Sequence, residues 1–123
     1  MKYYFAHPRN LYNTRKESVL VDMIRFNSFF SNPEVVNPNT QYHEHKYKEH
    51  GIDYLLSLVD SSDCLVYYPS DEETMEMVTN AFSKDPFLKD VPTESIRLVL
   101  RAKEKGKRVF GINPFTFDIF EWR

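Results

Sequence analysis

A chain of 123 residues, 41% hydrophobic and 28% charged, is long enough for one self-supporting core and short for two domains. Its net charge of −2 and pI near 6.1 exclude the basic footprint of a nucleic-acid binder, and no apolar run approaches the ~20 residues of a membrane span. A lone cysteine, Cys64, excludes an internal disulfide and suits a reducing compartment, and the opening MKYYFAHPRN carries no signal-peptide pattern. One soluble, cytoplasmic domain over residues 1–123 is therefore expected, with no nucleic-acid or membrane partner. Aromatic residues make up 15% of the chain, enough to fill a core with large rings and to spare some for lining a pocket.

In chain order, Lys2 to Ala6 (KYYFA) is rich in β-formers and reads as a strand that gives way to the loop His7–Asn13. Thr14-Arg-Lys-Glu17 forms a capping box, and the apolar spacing from Val19 to Phe30 predicts a helix ending near Asn32-Pro33. Glu34 to Asn37 is a short second strand. Asn39 to Tyr47 reads as polar loop running into a helix marked by Ile52, Leu55, Leu56 and Val59. Asp63 to Tyr68 (DCLVYY) is a near-continuous apolar run, as expected of a strand buried on both faces. Ser70-Asp-Glu-Glu73 is a second capping box, opening a helix with Met75, Val78, Thr79 and Phe82 on one face, and Ser83 to Pro92 is a loop. Thr93 caps a last helix through Lys105, Gly106 suits its left-handed end, and Arg108 to Asn113 is the fourth strand.

The alternation of strand and helix predicts an α/β fold: a small parallel sheet of four to five strands with helices on both faces, doubly wound. The tail PFTFDIFEWR is too apolar to stay free in water. Burial at a two-fold interface between copies is the favoured expectation, hence a homodimer or higher homo-oligomer. The alternative is that the tail adds a fifth strand or covers the sheet edge.

In an open parallel sheet, ligands bind beyond the carboxyl ends of the strands. Here those ends are His7-Pro8-Arg9-Asn10, Asn37-Pro38-Asn39, Pro69 to Glu73 and Asn113-Pro114-Phe115. Loops are rich in such residues in any case, but several converging on one edge point to a pocket.

The order YYFAHP, helix, VVNP, helix, SSDCLVYYPSDEE, helix, GKRVFGINP resembles the nucleoside 2-deoxyribosyltransferase family and its nucleoside and nucleotide N-glycoside hydrolase relatives. The likeness spans most of the chain. It implies that a carboxylate attacks the anomeric carbon of a nucleoside, forming a glycosyl-enzyme ester that a second base or water resolves, while a second acid assists the departing base. The resemblance makes Glu94 the nucleophile, at the start of the helix leading into Gly106-Lys107, where the helix N-terminus favours a carboxylate. Two departures stand against it. The family's Glu lies about one helical turn nearer the GK step. Its Gly-rich approach is replaced here by Asp90-Val-Pro-Thr93. Glu76, behind the acidic loop after Tyr68, is the rival; either Glu is also what a first helical turn favours on stability grounds alone. Asp63 precedes the buried strand as the family often has it, though it also suits a turn cap. Tyr4 and His7 are placed to contact a base or sugar, Arg9 a 5′-phosphate, and Asn113 a sugar hydroxyl in this subunit or a neighbour's.

No cofactor or metal is expected. His43, His45 and His50 with Glu44 and Glu49 lack zincin spacing and read as a solvated face, Cys64 as a small buried hydrophobe, and neither Walker A nor GxGxxG is present. Three functions compete: an N-glycosidic enzyme, a nucleotide sensor of the same fold without turnover, and an interaction module docking through Phe115 to Trp122.

Overall fold

The computed structural model describes residues 1–27, 30, 32–69 and 94–122. Its elements are β1 (Lys2–Ala6), α1 (Arg15–Phe26), β2 (Glu34–Val36), α2 (Gln41–His50), α3 (Ile52–Ser61), β3 (Cys64–Tyr67), α4 (Glu94–Glu104), β4 (Arg108–Ile112) and β5 (Ile119–Trp122). The five strands form one mostly parallel, mixed sheet in the order β2-β1-β3-β4-β5, with four α-helices among the described residues. Strands β1 to β4 pair in parallel; β5 runs antiparallel to β4, Ile112 opposite Ile119 and Val109 opposite Trp122.

Strand alternation builds two cores. Tyr3, Phe5, Cys64, Val66, Phe110 and Ile112 pack with Leu20 and Ile24 of α1; Tyr4, Ala6, Leu65, Tyr67 and Val109 pack with Leu55 and Val59 of α3 and with Ile96, Val99 and Ala102 of α4. All four residues of β3 are buried, which is why its sequence is continuously apolar rather than alternating. Each fully buried Leu, Ile or Phe here stabilises the fold by about 2 kcal/mol.

The structure differs from the sequence expectation in several places. Helix α1 stops at Phe26, because Asn27 takes an extended conformation (φ −77°, ψ 130°), so the apolar spacing runs past the helix end. Half of the first capping box forms, the Glu17 N–H donating to Thr14 Oγ1 at 3.2 Å; the Glu17 carboxylate instead accepts from the Asn13 N–H at 3.1 Å. The stretch read as loop after Asn39 is a separate helix, α2, capped by the Thr40 side chain and divided from α3 by Gly51 at φ 68°. Gly106 takes its left-handed conformation (φ 71°). The tail supplies the fifth strand that the alternative named: Ile119 to Trp122 are half-buried on their own sheet, and Phe115 stays 91% exposed. The second capping box, the helix behind it, the Ser83–Pro92 loop and Thr93 lie outside the described residues. No helix among the described residues is long and apolar enough to cross a membrane.

Candidate functional site

Where β1 ends, Pro8 (φ −71°, ψ 149°) turns the chain out of the sheet and a 3-10 turn, Arg9–Leu11, brings Arg9 and Tyr12 back over the strand end. Across from them begins α4. Between lies a cavity of ≈ 290 Å³, near the lower end of the range for small-molecule sites. Tyr4, Ala6, Pro38, Leu55 and Leu98 give it apolar walls; Arg9, Tyr12, Glu94 and Ser95 supply the polar groups.

Glu94 opens α4, where the helix dipole favours a negative charge. The Tyr47 hydroxyl donates to its Oε2 at 2.7 Å, and its Oε1 faces an Arg9 nitrogen at 3.7 Å. Arg9 also reaches Glu44 at 3.4 Å and lies 4.1 Å above the Tyr47 ring centroid and 5.7 Å from that of Tyr12. Both ion pairs are longer than a charge-assisted hydrogen bond of about 2.8 Å, so the guanidinium is attracted to these carboxylates without being locked to either. Burial opposes the charge on Arg9, but Tyr12, Glu94, Tyr47 and Glu44 together outweigh it and hold its pKa above the usual value.

The surrounding phenols are kept protonated. Burial pushes Tyr12 up to about 12, and burial with Tyr12 and Glu94 nearby drives Tyr4 well above 10.0. The hydrogen bond to Glu94 is the first cause of the rise at Tyr47, followed by burial. All three are therefore hydrogen-bond donors at neutral pH.

His7 borders the cavity but commits both nitrogens elsewhere. Nδ1 lies 3.0 Å from the Phe5 carbonyl oxygen, which only accepts, so Nδ1 carries a proton. Nε2 lies 2.6 Å from Glu17 Oε2, and Glu17 Oε1 also accepts from Asn39 Nδ2 at 2.8 Å. The ring stacks on Phe5 at 4.0 Å. This buried network pins the β1 turn to α1 and to the loop after β2, leaving His7 only its ring to offer a ligand. Losing one partner of such a buried hydrogen bond costs on the order of 1–3 kcal/mol.

Of the residues expected at a site, the fold brings together Tyr4, His7, Arg9 and Glu94. Asp63 stands at the opposite edge of the sheet, its carboxylate accepting the Lys2 N–H at 2.7 Å as a turn cap does. Asn113 lies at the carboxyl edge but spends its side-chain oxygen on the β4–β5 turn, accepting the Phe115 N–H at 2.8 Å and the Thr116 N–H at 3.3 Å. Glu76 lies outside the described residues. Sequence reasoning missed Tyr47, Tyr12 and the Glu17–Asn39 pair. Glu17 carried a signal as a capping residue and Asn39 as part of the loop after β2; Tyr47 meets Glu94 across 47 positions, a contact no local pattern encodes. The His43, His45 and His50 stretch is α2, where His45 pairs with Glu49 at 2.9 Å and His43 Nδ1 with the Tyr54 hydroxyl at 2.6 Å; no cluster of metal-ligating side chains occurs among the described residues.

Comparison with protein-family models, curated proteins and solved structures returns no match for this chain.

Proposed function

We propose that the cleft binds a (deoxy)nucleoside or its 5′-monophosphate and cleaves or transfers it at the N-glycosidic bond. The Glu94 carboxylate attacks the anomeric carbon. The bond to the base breaks, its electron pair leaving on the base nitrogen, and a glycosyl ester forms on Glu94. Water or a second base then takes the sugar from that ester. Tyr4 and Tyr12, whose phenols line the cleft, are its hydrogen-bond donors to the departing base. Arg9 supplies the charge that a 5′-phosphate needs. Asp63, on the far edge, has no part in this scheme.

One observation carries the reading: a carboxylate held by a tyrosine hydroxyl beside an arginine, inside an aromatic-walled cavity at the carboxyl end of β1. The sheet order supports it. We read the sheet as doubly wound and flavodoxin-like, and ligands in such sheets bind beyond the carboxyl ends of the strands, where this cavity opens after β1 and β2. On the same reading the protein is a cytoplasmic homo-oligomer; a scattering mass of 14.7 kDa at micromolar concentration overturns the oligomer.

The test is chromatography of a panel of deoxynucleosides and their 5′-monophosphates. Free base above the no-enzyme control is expected, with losses of ~10³-fold or more in Glu94→Ala. Activity kept in Glu94→Ala but lost in Glu76→Ala moves the nucleophile to the acidic stretch after Tyr68. A second reading, a nucleotide sensor, is favoured by the looseness of Arg9, whose side chain is 46% exposed and able to take an anion without chemistry at Glu94. Calorimetric binding of a monophosphate without turnover decides for it.

A further inference from the structure

Helix α2 has no apolar stripe to account for it. None of its ten residues is buried, and a helix this polar is held in place by something other than a hydrophobic face. What it delivers to the cleft is Tyr47, with Glu44 facing Arg9 at 3.4 Å. The ring is half-buried against the core cluster that contains Tyr4, Leu55 and Leu98. Its hydroxyl donates to Glu94 Oε2 at 2.7 Å while its face lies under Arg9 at 4.1 Å. One stiff side chain thus touches both charged groups of the cleft with different atoms. The end of α2 is fixed close by, the Gly51 N–H donating to the Tyr47 carbonyl oxygen at 2.7 Å.

We propose that Tyr47 is the positioning residue of the site: its hydroxyl aims the Glu94 carboxylate and its ring face aims the Arg9 guanidinium. The inference rests on the reading of Glu94 as the attacking group and deepens it. With Oε2 tied to Tyr47, Oε1 is the oxygen turned toward Arg9 and open to a substrate carbon. The two functions separate by substitution. Tyr47→Phe keeps the platform under Arg9 and removes the hydroxyl; Tyr47→Ala removes both.

Two measurements test this. In the substrate-free protein, ¹³C NMR at the tyrosine Cζ carbons, with Tyr47 assigned by its loss in Tyr47→Phe, follows the phenol titration. Tyr47 titrates above its ordinary value in the wild type and moves down toward it in Glu94→Gln, because the hydrogen bond to the carboxylate holds the phenol proton. An unchanged Tyr47 titration in Glu94→Gln overturns the proposal. In steady-state base release, Tyr47→Phe lowers kcat by about tenfold to a hundredfold at nearly unchanged KM, the signature of a misaimed group. Tyr47→Ala raises KM as well, since Arg9 loses its platform. Full kcat in Tyr47→Phe, or a loss confined to KM, also overturns it. A wild type that releases no base sinks the proposed reaction, and the titration alone then decides whether Tyr47 holds Glu94.

Discussion

The Tyr12 phenol borders the cleft and keeps its proton because burial penalises the phenolate, pushing its pKa from 10.0 up to about 12. That shift has a stability consequence of definite sign. Between these two values the unfolded chain releases the proton while the folded chain retains it. Stability from this source is fully present below pH 10 and is lost as pH rises toward 12. Urea melts at pH ~9 and ~11 should therefore show a larger loss in the wild type than in Tyr12→Phe. Equal losses in the two proteins refute the assignment. At this scale the sequence was readable where strand direction did the work. His7 and Arg9 follow β1, so they lie at its carboxyl end with the cleft. The same logic applies to Asp63: it precedes β3, and in a parallel sheet a residue before its strand lies at the far edge from a residue after one. It was the family resemblance, not strand direction, that grouped it with the site. His7 was legible as a neighbour of the cleft but not in its role, because the acceptors of its nitrogens are the Phe5 backbone and a carboxylate ten residues on.

At the level of elements, the β1 turn, β3 and the end of α4 follow from their patterns: a proline stop, a continuous apolar run, and a glycine, Gly106, in the left-handed conformation. Helix α2 does not, since Gln41 to His50 has no apolar period to detect; it brings Tyr47 to Glu94 and Glu44 to Arg9. The stretch becomes a distinct helix through its two ends, the Thr40 cap and the Gly51 break. Gly51 adopts φ 68° and ψ −151°, a combination that is accessible to glycine alone. No atom crowds the place where a Cβ would stand, so the strain there is purely conformational. Gly51→Ala should cost about 1–3 kcal/mol in chemical denaturation. It should also disturb the α2–α3 corner that seats Tyr47, so the base release proposed here would fall further than in a surface Ala variant of equal stability. A Gly51→Ala protein as stable and as active as wild type contradicts this account of α2.

For the whole molecule, the decisive feature is the tail. Its composition demanded burial but left the partner open, another copy or its own sheet, because an apolar strand looks the same in either role. Gly111 gives the tail its place on the chain's own sheet. Phe120 pairs with Gly111 across the β4–β5 ladder and its ring occupies the space a Cβ would need, the nearest ring carbon lying 2.5 Å from that position. Trp122, opposite Val109, sits by Tyr67 with ring centroids 6.2 Å apart, and Arg108 pairs with Glu121 at 2.6 Å. The missing side chain at residue 111 makes room for the fifth strand, and β4 is thereby interior to the sheet rather than an edge. Deleting residues 115–123 distinguishes the two roles. If the tail served only an interface between copies, the shortened chain would remain a folded monomer of unchanged intrinsic stability. As a strand, it takes with it the half-buried side chains of Ile119, Phe120 and Trp122, worth about 1 kcal/mol each at half burial, together with the ladder bonds of β4. It also exposes the outer edge of β4 as a template for aggregation. We expect the truncated protein to lose at least ~3 kcal/mol in urea unfolding and to aggregate at concentrations where the full chain stays dispersed. A truncated protein that melts as the full chain does would show that β5 is dispensable to the sheet.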